Sequence, residues 1–313
     1  MKQSKKKSKR SLIVSRDQLL PLTSDLVFKA VYGRDAPDSK EVLIAMLNII
    51  LNRRENPIKE IEIKNPFVYD EQPKNKLIVM DIKARLDTEE WVDIEMQVGG
   101  LGSYINRTLF YMSKLIGEQL ESGEMYGSIE KTIVISIVCG GRLFLQTGRA
   151  HNVFRYKEVE EGFELTDRSD LHFLELDKID TGKEVADMTA VERLGAYLRY
   201  AADPGRAEYV RRLLASGEEV IAMSEEILKK VSRDDQMREW QKARDRFLMD
   251  EKNRMWEAEQ RGLKAGLEQG ETNALLRVSE LMQRLFKDGR ESDLKRMAED
   301  LEYQKQLMEE YNI

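Results

Sequence analysis

Glu95 and Gln97 stand two residues apart in the stretch DIEMQVGG (93–100), where polar and apolar residues alternate before two glycines. Alternation with a period of two marks a half-buried strand. Trp91, Asp93, Glu95 and Gln97 therefore share one face, and Val92, Ile94, Met96 and Val98 share the other. A carboxylate and an amide side by side can hold a cation and orient a water, or they can form an ordinary solvated strand face. What the rest of the chain brings to that face decides between the two.

The neighbouring stretch KLIVMDIKARL (76–86) reads as a second strand, with Asp81 on the face that carries Val79, Lys83 and Arg85. If Asp87 to Glu89 form a three-residue turn, paired residues have numbers summing to 176, and Asp81 faces Glu95. A two-residue turn makes the sum odd and sends the two acids to opposite faces. Opposed residues on a shared face have Cβ atoms about 4.5–5.5 Å apart. Two carboxylates that close repel each other, and one is driven neutral unless a cation lies between them. Mg²⁺ is commonly held by one or two carboxylates together with phosphate oxygens. Acids on polar strand faces are common, however, and spacing alone favours the ordinary solvated face.

The elements that position these residues follow from periodicity. TSDLVFKAVYG (23–33) predicts a short helix capped by Thr23 or Ser24 and stopped at Gly33. DSKEVLIAMLNIILN (38–52) predicts a buried helix whose Asp38 and Glu41 have capping-box spacing. Strands are expected over 58–68, 76–86 and 91–98, a helix over about 103–120, and at 131–140 a strand apolar enough to be covered on both faces. A further strand is expected within 163–179. This order predicts a mixed sheet packed between helices, an α/β domain over 21–182. Residues 183–313 read as a helical C-terminal region, highly charged in part, with Gly262, Gly266 and Gly270 at four-residue spacing. That region is either a solvated helical arm or a route to homo-oligomers.

Bulk properties narrow the class. The 313 residues are 41% hydrophobic and 35% charged, and no apolar run reaches the roughly 18 residues of a membrane span. No signal-peptide segment follows the basic start, and the single cysteine, Cys139, precludes an internal disulfide, so a cytoplasmic protein is expected. With two histidines, His151 and His172, far apart in sequence, a zinc site is not expected and any metal should be hard and oxygen-bound. The net charge of −6 excludes a uniformly basic nucleic-acid binder, but KQSKKKSKR (2–10) carries six basic residues and no acid. The stretch 1–20 reads as a disordered arm, either solubilising or phosphate-contacting.

The ordered set DLVFKAVYG, LIAMLNIIL, MDIKARL, WVDIEMQ, INRTLFYMSKL and LHFLELDK, spread over residues 21–180, resembles the Rpn family. These are recombination-promoting nucleases, often labelled transposases, within the PD-(D/E)XK nuclease superfamily. The resemblance implies a PD-(D/E)XK nuclease-like mixed central sheet flanked by helices. It also implies that Asp81 and Glu95 bind Mg²⁺ (or Mn²⁺), with the Met96 carbonyl as a further ligand. Gln97 then stands where the superfamily motif has lysine. A lysine can hold or deprotonate the attacking water, whereas an amide only orients it. That raises the demand on the metal, or on a cation from elsewhere.

Two groups offer it. Arg107, Tyr111 and Lys114 share a helix face, opposite an apolar stripe of Ile105, Leu109, Met112 and Ile116; they form either a solvated face or a phosphate-facing edge. Asp25 and Lys29, four apart, are either an ordinary helix ion pair or an acid and a cation at the site. Asp93, nearer the turn, is expected to be solvated. Cys139 and His172 are expected to be structural. The expected function is a Mg²⁺-dependent DNA endonuclease promoting recombination, with Asp81, Glu95 and Gln97 as its catalytic residues. The alternative is an inactive nuclease fold that binds DNA or protein and oligomerises through its helical arm.

Overall fold

The structure is a computed structural model that describes residues 15–67 and 81–313. Residues 1–14 of the expected basic arm and residues 76–80 of the second expected strand, Val79 among them, lie outside the described residues. The chain divides into two compact units, residues 1–244 and 245–313.

The first unit runs α1 (Asp25–Tyr32), α2 (Pro37–Ile50), β1 (Ile61–Ile63), β2 (Ile82–Leu86), β3 (Glu90–Val98), α3 (Tyr104–Gly117), β4 (Lys131–Cys139), β5 (His151–Phe154), β6 (Ser169–Glu175), α4 (Ala190–Tyr200), α5 (Ala207–Leu214) and α6 (Glu219–Arg233). A 53-residue helix, α7 (Asp235–Lys287), starts in this unit and continues into the second, which adds α8 (Glu291–Met297) and α9 (Leu301–Glu310). The helices that follow residue 182 thus share the sheet's unit as far as Arg244.

The described strands form one mixed sheet in the order β1-β2-β3-β4-β6-β5. β1, β2 and β3 are an antiparallel meander, β3, β4 and β6 run parallel, and β5 is antiparallel to β6. A parallel neighbour requires a crossover, which α3 supplies between β3 and β4. β4 is buried at every position from Thr132 to Val138, as its unbroken apolar run implies. One sheet face, with Val92, Ile94, Met96, Ile133, Ile135 and Ile137, packs under α1, α2, α4 and α6 through Phe28, Met46, Leu47, Leu194 and Ile227. Each of these buried side chains contributes about 1.5–3 kcal/mol of transfer free energy. The second unit has its own small core of Leu281, Leu285, Met297 and Leu307.

Two local expectations are corrected, and one strand was not expected. α2 starts two residues earlier than the capping-box pattern implies: Ala36, not Asp38, occupies the N-cap, and Pro37 the first turn. Proline's fixed φ suits that position, and the Asp38 carboxylate instead accepts from Arg34 and from the Ser39 N–H. The buried face of α3 is Tyr104, Thr108, Met112 and Leu115, while Ile105 and Leu109 remain 40% exposed. The stripe is displaced because two polar-tipped residues, Tyr104 and Thr108, are drawn against the sheet. The four-residue edge strand β5 carries too little alternation to be read from sequence.

The β2–β3 pairing fulfils the arithmetic. Ile82 faces Ile94, Lys83 faces Asp93 and Ala84 faces Val92, each pair summing to 176. The turn is the three residues Asp87–Glu89, closed by the Glu89 N–H donating to the Leu86 carbonyl at 3.1 Å, with Glu89 at φ 61°. A left-handed residue ending a three-residue hairpin loop matches the strand twist, but costs a non-glycine side chain about 1–2 kcal/mol. Glu89→Gly is therefore expected to stabilise the fold by up to about 1 kcal/mol, after allowing for glycine's larger unfolded-state entropy. Urea denaturation checks this; a lower midpoint would contradict it.

Candidate active site

The polar side of the β2–β3 hairpin gathers three carboxylates. Asp81 immediately precedes β2, one register step beyond Ile82, and therefore opposite Glu95. Asn65 holds it there: its amide donates to the Asp81 carbonyl at 3.2 Å, and its side-chain oxygen accepts from the Lys83 N–H at 2.7 Å. Asp93, expected to be solvated, is only 2% exposed and lies against Asp81. Burial pushes its carboxyl up to about 8, with further upward pushes from the Asp81 charge, a hydrogen bond to Asp81 and the Glu95 charge, opposed by Lys83. Asp81 and Asp93 each leave one buried carboxylate oxygen, Oδ1, without a hydrogen-bond partner. The signal that marks Asp93 is its place two residues before Glu95 on the same face. Nearness to the turn misleads because the hairpin is flanked by other elements rather than by water.

Glu95 is held from α3. Its Oε1 accepts from Arg107 Nη2 at 2.9 Å and its Oε2 from the Tyr104 hydroxyl at 3.1 Å. Burial raises the Glu95 carboxyl above its ordinary range, the charges of Asp81 and Asp25 add to that, and Arg107 and Tyr104 oppose it. The same Arg107 donates to the Gln97 side-chain oxygen, while Gln97 Nε2 donates to the Gly99 carbonyl at 2.5 Å. The Arg107 guanidinium also lies 4.8 Å from the centre of the Tyr104 ring, a cation–π contact. The two glycines that follow β3 make this clasp. Gly99 and Gly100 both have φ 64°, which glycine adopts without steric cost, and they turn the chain so that α3 returns over Glu95.

The remaining expected residues separate. Lys29, on α1, is 4% exposed and faces Asp81 and Asp93; burial lowers its ammonium below the ordinary lysine range, against the upward pull of the two aspartates. Asp25 is not Lys29's ion-pair partner: its carboxylate is held by Arg244 and by the Leu26 N–H at 2.8 Å. Tyr111 overlooks the carboxylates, its hydroxyl pushed up by burial and then by Glu95. Lys114 does not join them; it is half-exposed and pairs with Glu118 at 3.5 Å. Cys139 is half-buried against the core.

His151 and His172, remote in sequence, meet on adjacent strands, with Nε2 of the first 3.1 Å from Nδ1 of the second. Burial drives His172 down to about 3, aided by the His151, Lys131 and Arg155 charges and resisted by Asp170. Because the folded-state value lies below the unfolded value near 6.5, stability is complete above pH 6.5. It is lost on acidification as the unfolded chain takes up the proton first. His172→Asn should therefore flatten the fall in unfolding free energy between pH 6.5 and 5. An unchanged slope in urea titrations would rule this out.

A mixed sheet with a parallel centre, helices on both faces and acids at the β2–β3 hairpin defines a nuclease-type α/β fold. A family model described as PD-(D/E)XK nuclease family transposase matches residues 22–258, and the chain belongs to that family. No curated protein and no solved structure matches the chain significantly. The family points to a nuclease- or transposase-related function on DNA, and PD-(D/E)XK nucleases generally use divalent metals such as Mg²⁺. Among the described residues, no helix is long and apolar enough to cross a membrane.

The residues fit such an ion in donor type. Asp81, Asp93 and Glu95 are hard oxygen donors, and two buried carboxylate oxygens lack partners. Glu95 is engaged by Arg107 and Tyr104, and among the described residues no three acidic, histidine or cysteine side chains are grouped so that they could hold a metal ion as they stand. Ionising both buried aspartates costs stability even with Lys29 beside them, which is why the Asp93 carboxyl is held up. At pH 9, where the Asp93 carboxyl is ionised, Asp93→Asn is expected to raise Tm in EDTA by about 2–4 °C for each kcal/mol of repulsion relieved, and to lose any Mn²⁺-induced rise. Differential scanning calorimetry checks both; a lowered Tm in EDTA would contradict the repulsion.

Proposed function

We propose that this protein is a divalent-metal-dependent DNA endonuclease that hydrolyses phosphodiester bonds, and that the breaks feed recombination. The observation that carries this reading is the gathering of Asp81, Asp93 and Glu95 on one face of a hairpin, with Lys29 and Arg107 beside them. Asp81 and Asp93, with Glu95 once released from its clasp, would hold Mg²⁺ or Mn²⁺. When bound, that ion would polarise the scissile phosphate and lower the pKa of a water.

Lys29 supplies the cation that Gln97 cannot. It reaches the acids from α1 rather than from β3, and its buried, lowered ammonium can hold the water or exchange a proton with it. Gln97 holds Arg107 between itself and Glu95 and keeps one amide N–H for water. Arg107 opposes the charge that develops on the phosphate oxygens, with Tyr111 at the rim. Asp25 acts at a distance, through its pair with Arg244. Lys114 stands outside this set.

The Arg107 clasp on Glu95 also favours a second reading, an inactive nuclease fold that binds DNA or protein, since a carboxylate in an ion pair is not free for a metal. Plasmid cleavage separates the two. Supercoiled DNA is expected to be cut in Mg²⁺ or Mn²⁺ and left intact in EDTA. Asp81→Asn, Glu95→Gln and Lys29→Met should each slow cutting by about 10²-fold or more. Unchanged rates in Asp81→Asn and Glu95→Gln would dismiss the assignment. Metal-independent DNA binding without cutting would establish the second reading.

A further inference from the structure

Three strands from Glu95, on the opposite face of the sheet, a cleft of about 950 Å³ opens beside β5 and β6. Its floor is the face of His151, Val153 and His172; its walls are the end of α2 with the residues that follow it and the first turn of α4. In a chain of net charge −6, this lining is basic: Arg53, Arg54, Arg149, Arg155 and Lys157 against Glu164 and Glu192.

The acids are already engaged. Glu164 accepts from Arg155 at 3.1 Å, and Glu192 accepts from Lys183 at 3.2 Å and from the Thr189 N–H at 2.7 Å. Arg53 is paired with Glu90, and Arg155 also donates to Asp170 at 2.6 Å. The exposed Arg54 and Arg149 have no ion-pair partner among the described residues, and Lys157 has only a 3.9 Å contact with Glu164. Positive charge therefore outnumbers protein anions in a concave setting. The guanidinium fork matches phosphate oxygens. The histidine pair forms a polar, uncharged floor, and Val153 and Val191 supply apolar wall. The volume falls in the range of small-molecule sites.

We propose that this cleft binds a nucleotide-type phosphate, carried by a free nucleoside polyphosphate or by a nucleic-acid strand, at a site separate from the carboxylate cluster. Arg54 and Arg149 take the phosphate, and the base lies against the apolar wall over the histidine floor.

The test uses the full chain in EDTA, so that binding is read without cleavage and stands or falls independently of nuclease activity. The probes are ATP and pyrophosphate by titration calorimetry and a labelled single-stranded oligonucleotide by anisotropy. At least one probe should bind, and Arg54→Glu/Arg149→Glu should weaken it tenfold or more. The control Arg254→Glu/Arg261→Glu, an exposed pair elsewhere, should leave it within twofold. Loss of ATP or pyrophosphate binding identifies a free nucleotide; loss of oligonucleotide binding alone identifies a strand. Absence of binding by every probe, unaltered binding in the cleft variant, or an equal loss in the control would overturn the proposal.

Discussion

Between Leu86 and Glu90 the chain has three residues. Because side chains on a strand alternate, that odd number decides on which side of the sheet Asp81 lies relative to Asp93 and Glu95. The left-handed Glu89 is the local cost of the turn, and Asn65 ties the far end of β2 so that the register cannot slip where Asp81 leaves the strand. Gly99 and Gly100 do the corresponding work at the other end of β3, folding α3 back so that Arg107 and Tyr104 reach Glu95. Register at one end and reversal at the other bring Asp81, Asp93, Glu95, Tyr104 and Arg107 from three segments to one place.

What they build there is electrostatically unfavourable as it stands. Asp81 and Asp93 are buried together, each with one carboxylate oxygen that lacks a hydrogen-bond partner, and burial lowers the Lys29 ammonium beside them against the pull of both aspartates. Burying two carboxylates and an ammonium costs desolvation free energy that apolar residues of the same volume would not. The large apolar core under α1, α2, α4 and α6 makes the strain affordable, as expected where activity and stability compete. Arg107 is the one group that relieves and restrains at once: it neutralises Glu95 and fixes Gln97 with the same guanidinium.

The sheet and the hairpin register were legible in the sequence because both follow from a period of two and a count of turn residues. β4 was legible because an unbroken apolar run fits few other positions. The Asp81–Glu95 opposition followed from the same count. Asp93 was not legible as buried, since its environment is made by elements distant in sequence and nothing local marks them. The meeting of His151 with His172 likewise depends on β5, a strand too short to signal itself. Lys29 was visible as a candidate cation, but its separation from Asp25 depends on Arg244, more than two hundred residues away. Pairings between neighbours are written in local pattern; those across the fold are not.

An acidic chain that acts on a polyanion cannot rely on a long-range field to gather its substrate. With a net charge of −6, attraction falls to local cations, whether of the basic stretch 2–10 or those beside the carboxylates and the cleft. Arg54 and Arg149, at the cleft across the sheet, are exposed, whereas Lys29 and Arg107 at the carboxylates are set among packed elements. Such charges act over short range and at low local dielectric, so they favour ligands that fit over ligands that are merely charged. Selectivity of this kind costs association rate. It also protects a nuclease fold from indiscriminate capture by every nucleic acid it meets.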